Sequence, residues 1–384
     1  MAKVKKRVIA VLTGKRGGSG AMITLVQSLR RDPAVKVVPI ATDMHLSSFF
    51  GGTVKEVEKW YGKTVRVPTK QKGDSHLERG KALARTVDGL LEVFARTKPD
   101  ILVTLGDRGE VLAACMAALE LNIPVAHILG GDVSGNRDGV RIHAVTKLAH
   151  LHFPANRDAY ERILNLGEEE WRVFDYGSTY IDLVVRGDYT PERIVRKKYG
   201  IKPDEPYCIC IQHPTTLDEE HSYREARAVY MALKKKGWRT LIVWPCNDQG
   251  YSLVLKALKE FENVPQFSVH KNIQAEDFWG LMAGASVMVG NSSSGLMETP
   301  YFNLPSITVG HRQDGRVRDT NIIAVEEPTT AKVFSAINLA TSPTFKKRCR
   351  NHYLFGRGRA GERIAHVLRT VQLGGTLLRK RITY

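Results

Sequence analysis

The chain has 384 residues, which at roughly 150 per domain means two large domains or three small ones. Its 43% hydrophobic and 25% charged residues, with 33 Gly and 16 Pro, exclude a disordered, collagenous or disulfide-scaffold protein. Fifty-seven Lys and Arg against 40 Asp and Glu leave a net charge of +17, the sign suited to anionic ligands.

The N-terminal run Lys3-Val-Lys-Lys-Arg7 precedes a short apolar run, Val8–Leu12. A signal peptide needs about 7–15 apolar residues and a membrane span about 20, so this run reads as a buried first strand. Nothing later approaches a span, and a soluble, cytoplasmic protein is expected. From there short apolar runs alternate with amphipathic stretches, the pattern of parallel sheets covered by helices. Predicted strands are Arg7–Leu12, Val35–Ala41, Ile101–Leu105, Pro124–Ile128 and His152–Pro154. Predicted helices are Ala21–Arg31, Leu77–Thr97 and Arg108–Leu121, the second burying a stripe of Leu83, Val87, Leu90, Leu91 and Phe94.

The polar stretch Arg186–Pro206, with Pro191, Pro203 and Pro206, reads as a domain connection. A second series follows it. Strands are predicted at Tyr207–Gln212, Thr240–Val243, Val287–Gly290 and Ser306–Val309, with helices at Ala226–Lys236 and Ala275–Ala283. The expected architecture is α/β: two Rossmann-like domains with parallel sheets, spanning 1–185 and 186–365, and ligands in an inter-domain cleft. Residues 366–384 are expected as a basic C-terminal helix or tail. From Ser342 onward eleven Lys and Arg face the single acid Glu362, which reads as a solvated basic face with a frayed end. No aromatic-rich nucleic-acid motif accompanies it, so no nucleic-acid partner is expected. Five cysteines (Cys115, Cys208, Cys210, Cys246, Cys349) without C-x-x-C spacing point to a reducing compartment and no structural metal.

Motifs fall at the predicted strand ends. Gly14-Lys-Arg-Gly-Gly-Ser-Gly20 is a glycine-rich turn with Arg16 as a fork-shaped anion donor; a plain flexible turn explains it equally. Gly106-Asp107-Arg108-Gly109-Glu110 sets two carboxylates and a guanidinium within four residues, suited to acid/base work beside a phosphate. Helix capping accounts for its acids but not for its arginine. The long polar stretch His127–His143 contains Asp132 and Asp138 and exceeds what a turn requires. In the second half, His213-Pro-Thr-Thr216 ends a strand. Asn291-Ser292-Ser293-Ser294-Gly295 offers a diphosphate cradle, Glu298 a partner for a ribose diol, and Arg312 and Arg316 two more cations.

At these motifs the chain resembles the UDP-N-acetylglucosamine 2-epimerase family, nearer its hydrolysing, N-acetylmannosamine-forming branch, whose fold is like that of the GT-B glycosyltransferases. The resemblance runs from Arg7 to about Ile364 and is strongest at Lys98–Leu151, Gln212–Thr216 and Gly290–Arg316. It implies a sugar and catalytic side in the first domain and a nucleotide side in the second. UDP-sugar-binding roles then fall on Arg16, Arg108, His213, Ser292, Ser293, Glu298 and Arg312, with the backbone near Ile273 contacting uracil. Asp107 and Asp138 match family catalytic carboxylates, with His213 beside the departing diphosphate. The resemblance further implies a homodimer or higher homo-oligomer.

Departures accompany the match. A family catalytic Glu is replaced by Leu129, with Asp132 at the last position of that motif. The second Asp of a family pair is Gly139, a family Ser is Gly20, and a family Asn is Cys246. Elimination of UDP across C1–C2 followed by hydration needs a base, an acid and positive charge. Asp132 or Glu110 is expected to substitute for the lost Glu, or the sugar is a deoxy or diacetamido one. No metal and no cofactor are expected. The competing readings are a GT-B-type glycosyltransferase and a non-catalytic nucleotide-sugar-binding homologue.

Overall fold

The computed structural model describes residues 6–215 and 219–384; residues 3–5 of the basic N-terminal run and Thr216 lie outside them. The chain divides into two compact units. The first takes residues up to Val133, Asp138–Asp182 and Phe355–Tyr384; the second takes Ser134–Arg137 and Leu183–Leu354.

The first unit is built on a six-stranded sheet in the order β3-β2-β1-β4-β5-β6. Its strands are β1 (Arg7–Thr13), β2 (Val35–Thr42), β3 (Val65–Val67), β4 (Ile101–Leu105), β5 (Val125–Ile128) and β6 (Leu151–Phe153). Every pairing is parallel. The central strands β4 and β5 are buried along their whole length and apolar but for Thr104 and His127, as a helix-covered parallel sheet requires. The second unit repeats the plan with β7 (Tyr207–Ile211), β8 (Arg239–Val243), β9 (Phe267–His270), β10 (Val287–Gly290), β11 (Ser306–Val309) and β12 (Ile322–Val325). Their order is β12-β11-β10-β7-β8-β9, again all parallel. Each sheet thus reverses direction once, between β1 and β4 in the first unit and between β7 and β10 in the second. At such a switch point two strand-end loops part and leave a crevice, where open α/β sheets bind ligands.

Several expected elements differ. The helix expected at Ala21–Arg31 is two, Arg16–Ala21 and Ile23–Arg30, broken at Met22, so Arg16 lies in a helix and not in a loop. The edge strands β3, β9 and β12 were not expected; each is only three or four residues long, and most of their residues are partly buried or exposed. Helix His76–Thr97 is capped by Ser75, whose Oγ accepts from the Glu78 N–H at 3.3 Å. It buries Ala82, Thr86, Leu90, Val93 and Phe94, while Leu83, Val87 and Leu91 of the expected stripe are half-buried at its margin.

The end of the chain is neither frayed nor separate. Helix Ala360–Thr370 packs on helix Ile23–Arg30, close enough that a Cβ on Gly361 would stand 2.2 Å from Thr24 Oγ1. The fully buried Arg172 then donates to the carbonyls of Thr376, Leu377 and Arg379 at 3.1, 2.7 and 2.9 Å. Lys380 reaches the buried Glu168 at 2.7 Å. The expected boundary at 365 therefore gives way to one at Phe355, after which the chain packs with the first unit. Among the described residues no helix is long and apolar enough to cross a membrane.

Candidate functional site

In the first unit the motifs after β1 and β4 meet at the switch point. Arg108 is buried at the N-cap position of helix Gly109–Glu120. Its Nε donates to Glu110 Oε1 at 2.9 Å and its Nη2 to Asp43 Oδ2 at 3.2 Å. Arg79, itself buried, contacts the same Asp43 carboxylate at 3.5 Å and also bonds Gln71. Two guanidinium groups and two carboxylates thus form one buried chain, in which each charge is matched. Gly14 touches this chain directly, since a Cβ there would stand 2.4 Å from Glu110 Oε1. Arg16 opens the helix above it. Buried His45 lies in the field of Asp43, Arg16 and Arg108, and burial drives its pKa down to about 4.

The β4 turn continues through Asp107, half-buried just past Gly106. His127 of β5 donates through Nε2 to the Gly106 carbonyl at 2.7 Å. Burial lowers its pKa to about 4, so the ring is neutral and that tautomer holds the turn carrying Asp107. Beyond β5, Leu129 takes φ 63°, a left-handed conformation that a branched side chain adopts only where the surroundings hold it. Asp132 is buried and accepts from the Val133 N–H at 2.9 Å. Its charge acts on half-buried His143, whose pKa is lowered by burial and then by Arg162, with Asp132 opposing. Asp138 starts helix Asp138–Leu148 and pairs with Arg141 at 3.0 Å.

In the second unit the ends of β7, β10 and β11 are tied through Asn291. Its side chain bonds both backbone groups of His213, and its carbonyl accepts from Arg312 Nη1 at 3.2 Å and Gln313 Nε2 at 2.7 Å. His213 Nδ1 accepts from the Cys246 N–H at 3.1 Å, which leaves the proton of the neutral ring on Nε2. Arg312 also reaches Asp248 at 3.6 Å, and Arg316 is bonded to Gln313 Oε1 at 3.0 Å. Ser292 is buried and Ser293 half-buried at the start of the single turn Ser294–Met297. Glu298 is buried against Trp279 Nε1; burial raises its pKa, opposed by hydrogen bonds from Ser294 and Trp279. Ile273 is buried between β9 and the next helix.

The structure therefore gathers Arg108 and Glu110 about the Gly14 turn, Asp132 beside His143, and His213 with Arg312 about Asn291. Glu298 bonds Trp279 and Ser294, outside the Asn291 cluster. Sequence reading passed over Asp43 and Arg79, and over Asp248, although Asp43 and Asp248 both follow strands of their sheets as the chosen motifs do. Among the described residues no group of three or more His, Cys, Asp or Glu is placed to hold a metal ion.

Comparison with known proteins matches residues 27–369 to the family described as UDP-N-acetylglucosamine 2-epimerase. A UDP-N,N'-diacetylbacillosamine 2-epimerase (hydrolyzing) of Legionella pneumophila is 31% identical over 380 residues, covering 98% of this chain and 100% of that protein. A UDP-N-acetylglucosamine 2-epimerase of Neisseria meningitidis is 32% identical over 88% of each chain. A crystal structure of UDP-GlcNAc 2-epimerase from Neisseria meningitidis bound to UDP-GlcNAc shares the fold, with a TM-score of 0.79 over 94% of this chain and 99% of that one at 18% identity.

Proposed function

The chain belongs to the UDP-N-acetylglucosamine 2-epimerase family, and from that membership we propose that it is a hydrolysing 2-epimerase of a UDP-linked 2-acetamido sugar. One observation carries this reading: at the switch point of each sheet the chain sets the groups the reaction needs. Arg108 with its carboxylates stands at one, and the Asn291-braced His213 and Arg312 at the other.

In the proposed reaction a carboxylate takes the C2 proton, the C1–O bond breaks, and its electron pair leaves with UDP. The resulting glycal has a C1=C2 double bond. Water then adds hydroxyl to C1 while a proton returns to C2 on the opposite face, releasing the free C2-inverted sugar. Asp107, Asp132 and Asp138 are assigned as the proton carriers, Asp132 in place of a glutamate at Leu129. Arg16, Arg108, His213 and Arg312 take the charge of the departing diphosphate. Ser292 and Ser293 hold phosphate oxygens, Glu298 the ribose diol, and the backbone near Ile273 the uracil.

Leu129 favours a diacetamido, 6-deoxy sugar over N-acetylglucosamine. A half-buried leucine at the end of β5 gains by contact with a methyl group and offers nothing to a hydroxyl. The full-length likeness to the Legionella protein supports the same choice. Incubation in heavy water with UDP-N,N'-diacetylbacillosamine and, separately, UDP-N-acetylglucosamine tests it by NMR. Free UDP with a C2-inverted, C2-deuterated sugar is expected, faster from the diacetamido substrate. Both nucleotide sugars returned untouched would overturn the activity; faster turnover of N-acetylglucosamine would overturn only the choice of sugar.

A further inference from the structure

A second cationic site on the first unit lies outside these assignments. The loop after Phe355 is pinned to the segment Tyr176–Ser178. The Ser178 N–H donates to the Phe355 carbonyl at 2.8 Å, and a Cβ on Gly177 would stand 2.7 Å from that oxygen and 2.9 Å from Gly356 Cα. Gly356 and Gly358, at φ 94° and 79°, fold the chain tightly around Arg357, a conformation that favours glycine. Arg359 follows, and one turn into the next helix Arg363 lays its guanidinium over the Tyr176 ring at 3.9 Å. Tyr176, Arg357, Arg359 and Arg363 line a cavity of about 440 Å³. The first amides of the helix, those of Ala360 and Gly361, are taken by the Asp182 carboxylate at 3.0 and 2.8 Å. The positive charge of the cavity is therefore side-chain charge from a pinned loop, with Glu362 bonded to Arg359 at 3.2 Å as an acid beside it.

We propose that this cavity binds a phosphate monoester of a small organic molecule. Three guanidinium groups line the one cavity. A carboxylate fills one fork, whereas a phosphoryl dianion has oxygens for several at once. The cavity falls in the size range of small-molecule pockets and exceeds what a bare phosphate fills, so the phosphoryl group carries an organic residue that reaches the phenol of Tyr176. The guanidinium already stacked on that ring is held before the ligand arrives, which lowers the cost of binding. This inference does not depend on the epimerase reading.

Calorimetric titration of the full chain with glucose 1-phosphate, inorganic phosphate and acetate, each in excess UDP, tests it. Glucose 1-phosphate is expected to bind in the presence of UDP and acetate to bind at least tenfold more weakly. Inorganic phosphate weaker than the ester assigns the organic part a role; equal binding assigns the phosphoryl group alone. Arg363→Ala and Arg359→Gln should each weaken the ester at least tenfold. Arg359, with its side chain 78% exposed, can be changed without disturbing the core should Arg363→Ala fail to fold. Mole-for-mole displacement of the ester by UDP, acetate binding as tightly as the ester, or unchanged affinity in Arg359→Gln would each overturn the proposal.

Discussion

Asn291 gives His213 the two hydrogen bonds that a neighbouring strand would supply. Its Oδ1 accepts from the His213 N–H at 2.7 Å and its Nδ2 donates to the His213 carbonyl at 2.9 Å. The strand β7 has ended at Ile211, so these two bonds replace the ladder for a buried stretch of backbone. The same residue's carbonyl holds Arg312 and Gln313. One residue thus fixes, by its side chain, the histidine and, by its backbone carbonyl, the arginine that the proposed reaction sets beside the diphosphate.

Asn291→Ala is therefore expected to cost about 2–6 kcal/mol, from the loss of hydrogen bonds to two buried backbone groups at about 1–3 kcal/mol each. It should weaken UDP binding at least tenfold, because His213 loses its fixed position. Urea unfolding measures the first and calorimetry the second. Asn291→Asp keeps the acceptor but turns a carboxylate oxygen toward the His213 carbonyl in place of the donor, and that repulsion should leave its UDP binding no better than the alanine variant's.

The Gly14 turn makes a different prediction. A methyl group at residue 14 would overlap Glu110 Oε1, the atom that receives Arg108 Nε. Gly14→Ala should destabilise the protein by about 1–3 kcal/mol, the usual cost of overpacking. In a Glu110→Ala background that cost should largely disappear, giving a coupling of about 1–2 kcal/mol between the two sites. Additive losses in the double variant would show that the turn and the carboxylate are independent.

The motif residues were legible in the sequence because a parallel sheet puts its ligand groups just past strand ends, and those ends are marked by glycine and a change from apolar to polar. Asp107, Arg108 and Asn291 carry both marks, and His213 the change from apolar to polar alone. Asp43 carries it only faintly: it follows Thr42 at φ 48° and pairs with Arg79, which sits on a helix that reads as amphipathic. A basic residue in such a pattern is normally assigned to solvent. The C-terminal run misled for a related reason. Lys380 is paired with Glu168, and Arg172 clamps the carbonyls of residues 376–379, across some 200 positions of sequence. Local periodicity carries no information about such pairings. The edge strands β9 and β12 escaped for different reasons: β9 interleaves Ser268 and His270 with its apolar residues and buries none of them fully, whereas β12 is apolar but only four residues long, with Val325 alone fully buried.

Glu225 sets a pH dependence in the second unit. Its buried carboxylate accepts from Gln212 Nε2 at 3.5 Å and Thr215 Oγ1 at 3.4 Å, and Gly310 leaves room for its Oε1. Burial pushes its pKa from the usual 4.5 up to about 7, against the Thr215 hydroxyl and the charges of His221 and His311, with Glu327 adding to the rise. Between those two values the folded protein keeps a proton that the unfolded chain releases, so stability falls as pH rises and is level above about 7. At 1.36 kcal/mol per pH unit the loss is about 3 kcal/mol. Glu225→Gln should lack this fall and be the more stable protein at pH 8, by up to about 3 kcal/mol. Urea midpoints at pH 5 and pH 8 for both proteins decide it; parallel pH profiles would remove Glu225 as the source.

The carboxylates of the first unit separate the two halves of the proposed chemistry. Asp107 stands on a turn held by neutral His127, and Asp132 lies beside His143. Asp138 already forms an ion pair with Arg141 at 3.0 Å. Asp107→Asn and Asp132→Asn keep shape and remove the proton-carrying group, and each should lower kcat by about 10²–10⁴ with UDP affinity within a few-fold of wild type. The residue that removes the C2 proton must act before UDP leaves, so its variant releases no UDP and incorporates no deuterium. The residue that serves hydration acts afterwards, so its variant releases UDP and accumulates the glycal. NMR on the two variants in heavy water therefore assigns the roles, and wild-type rates in both would take these two carboxylates out of the chemistry.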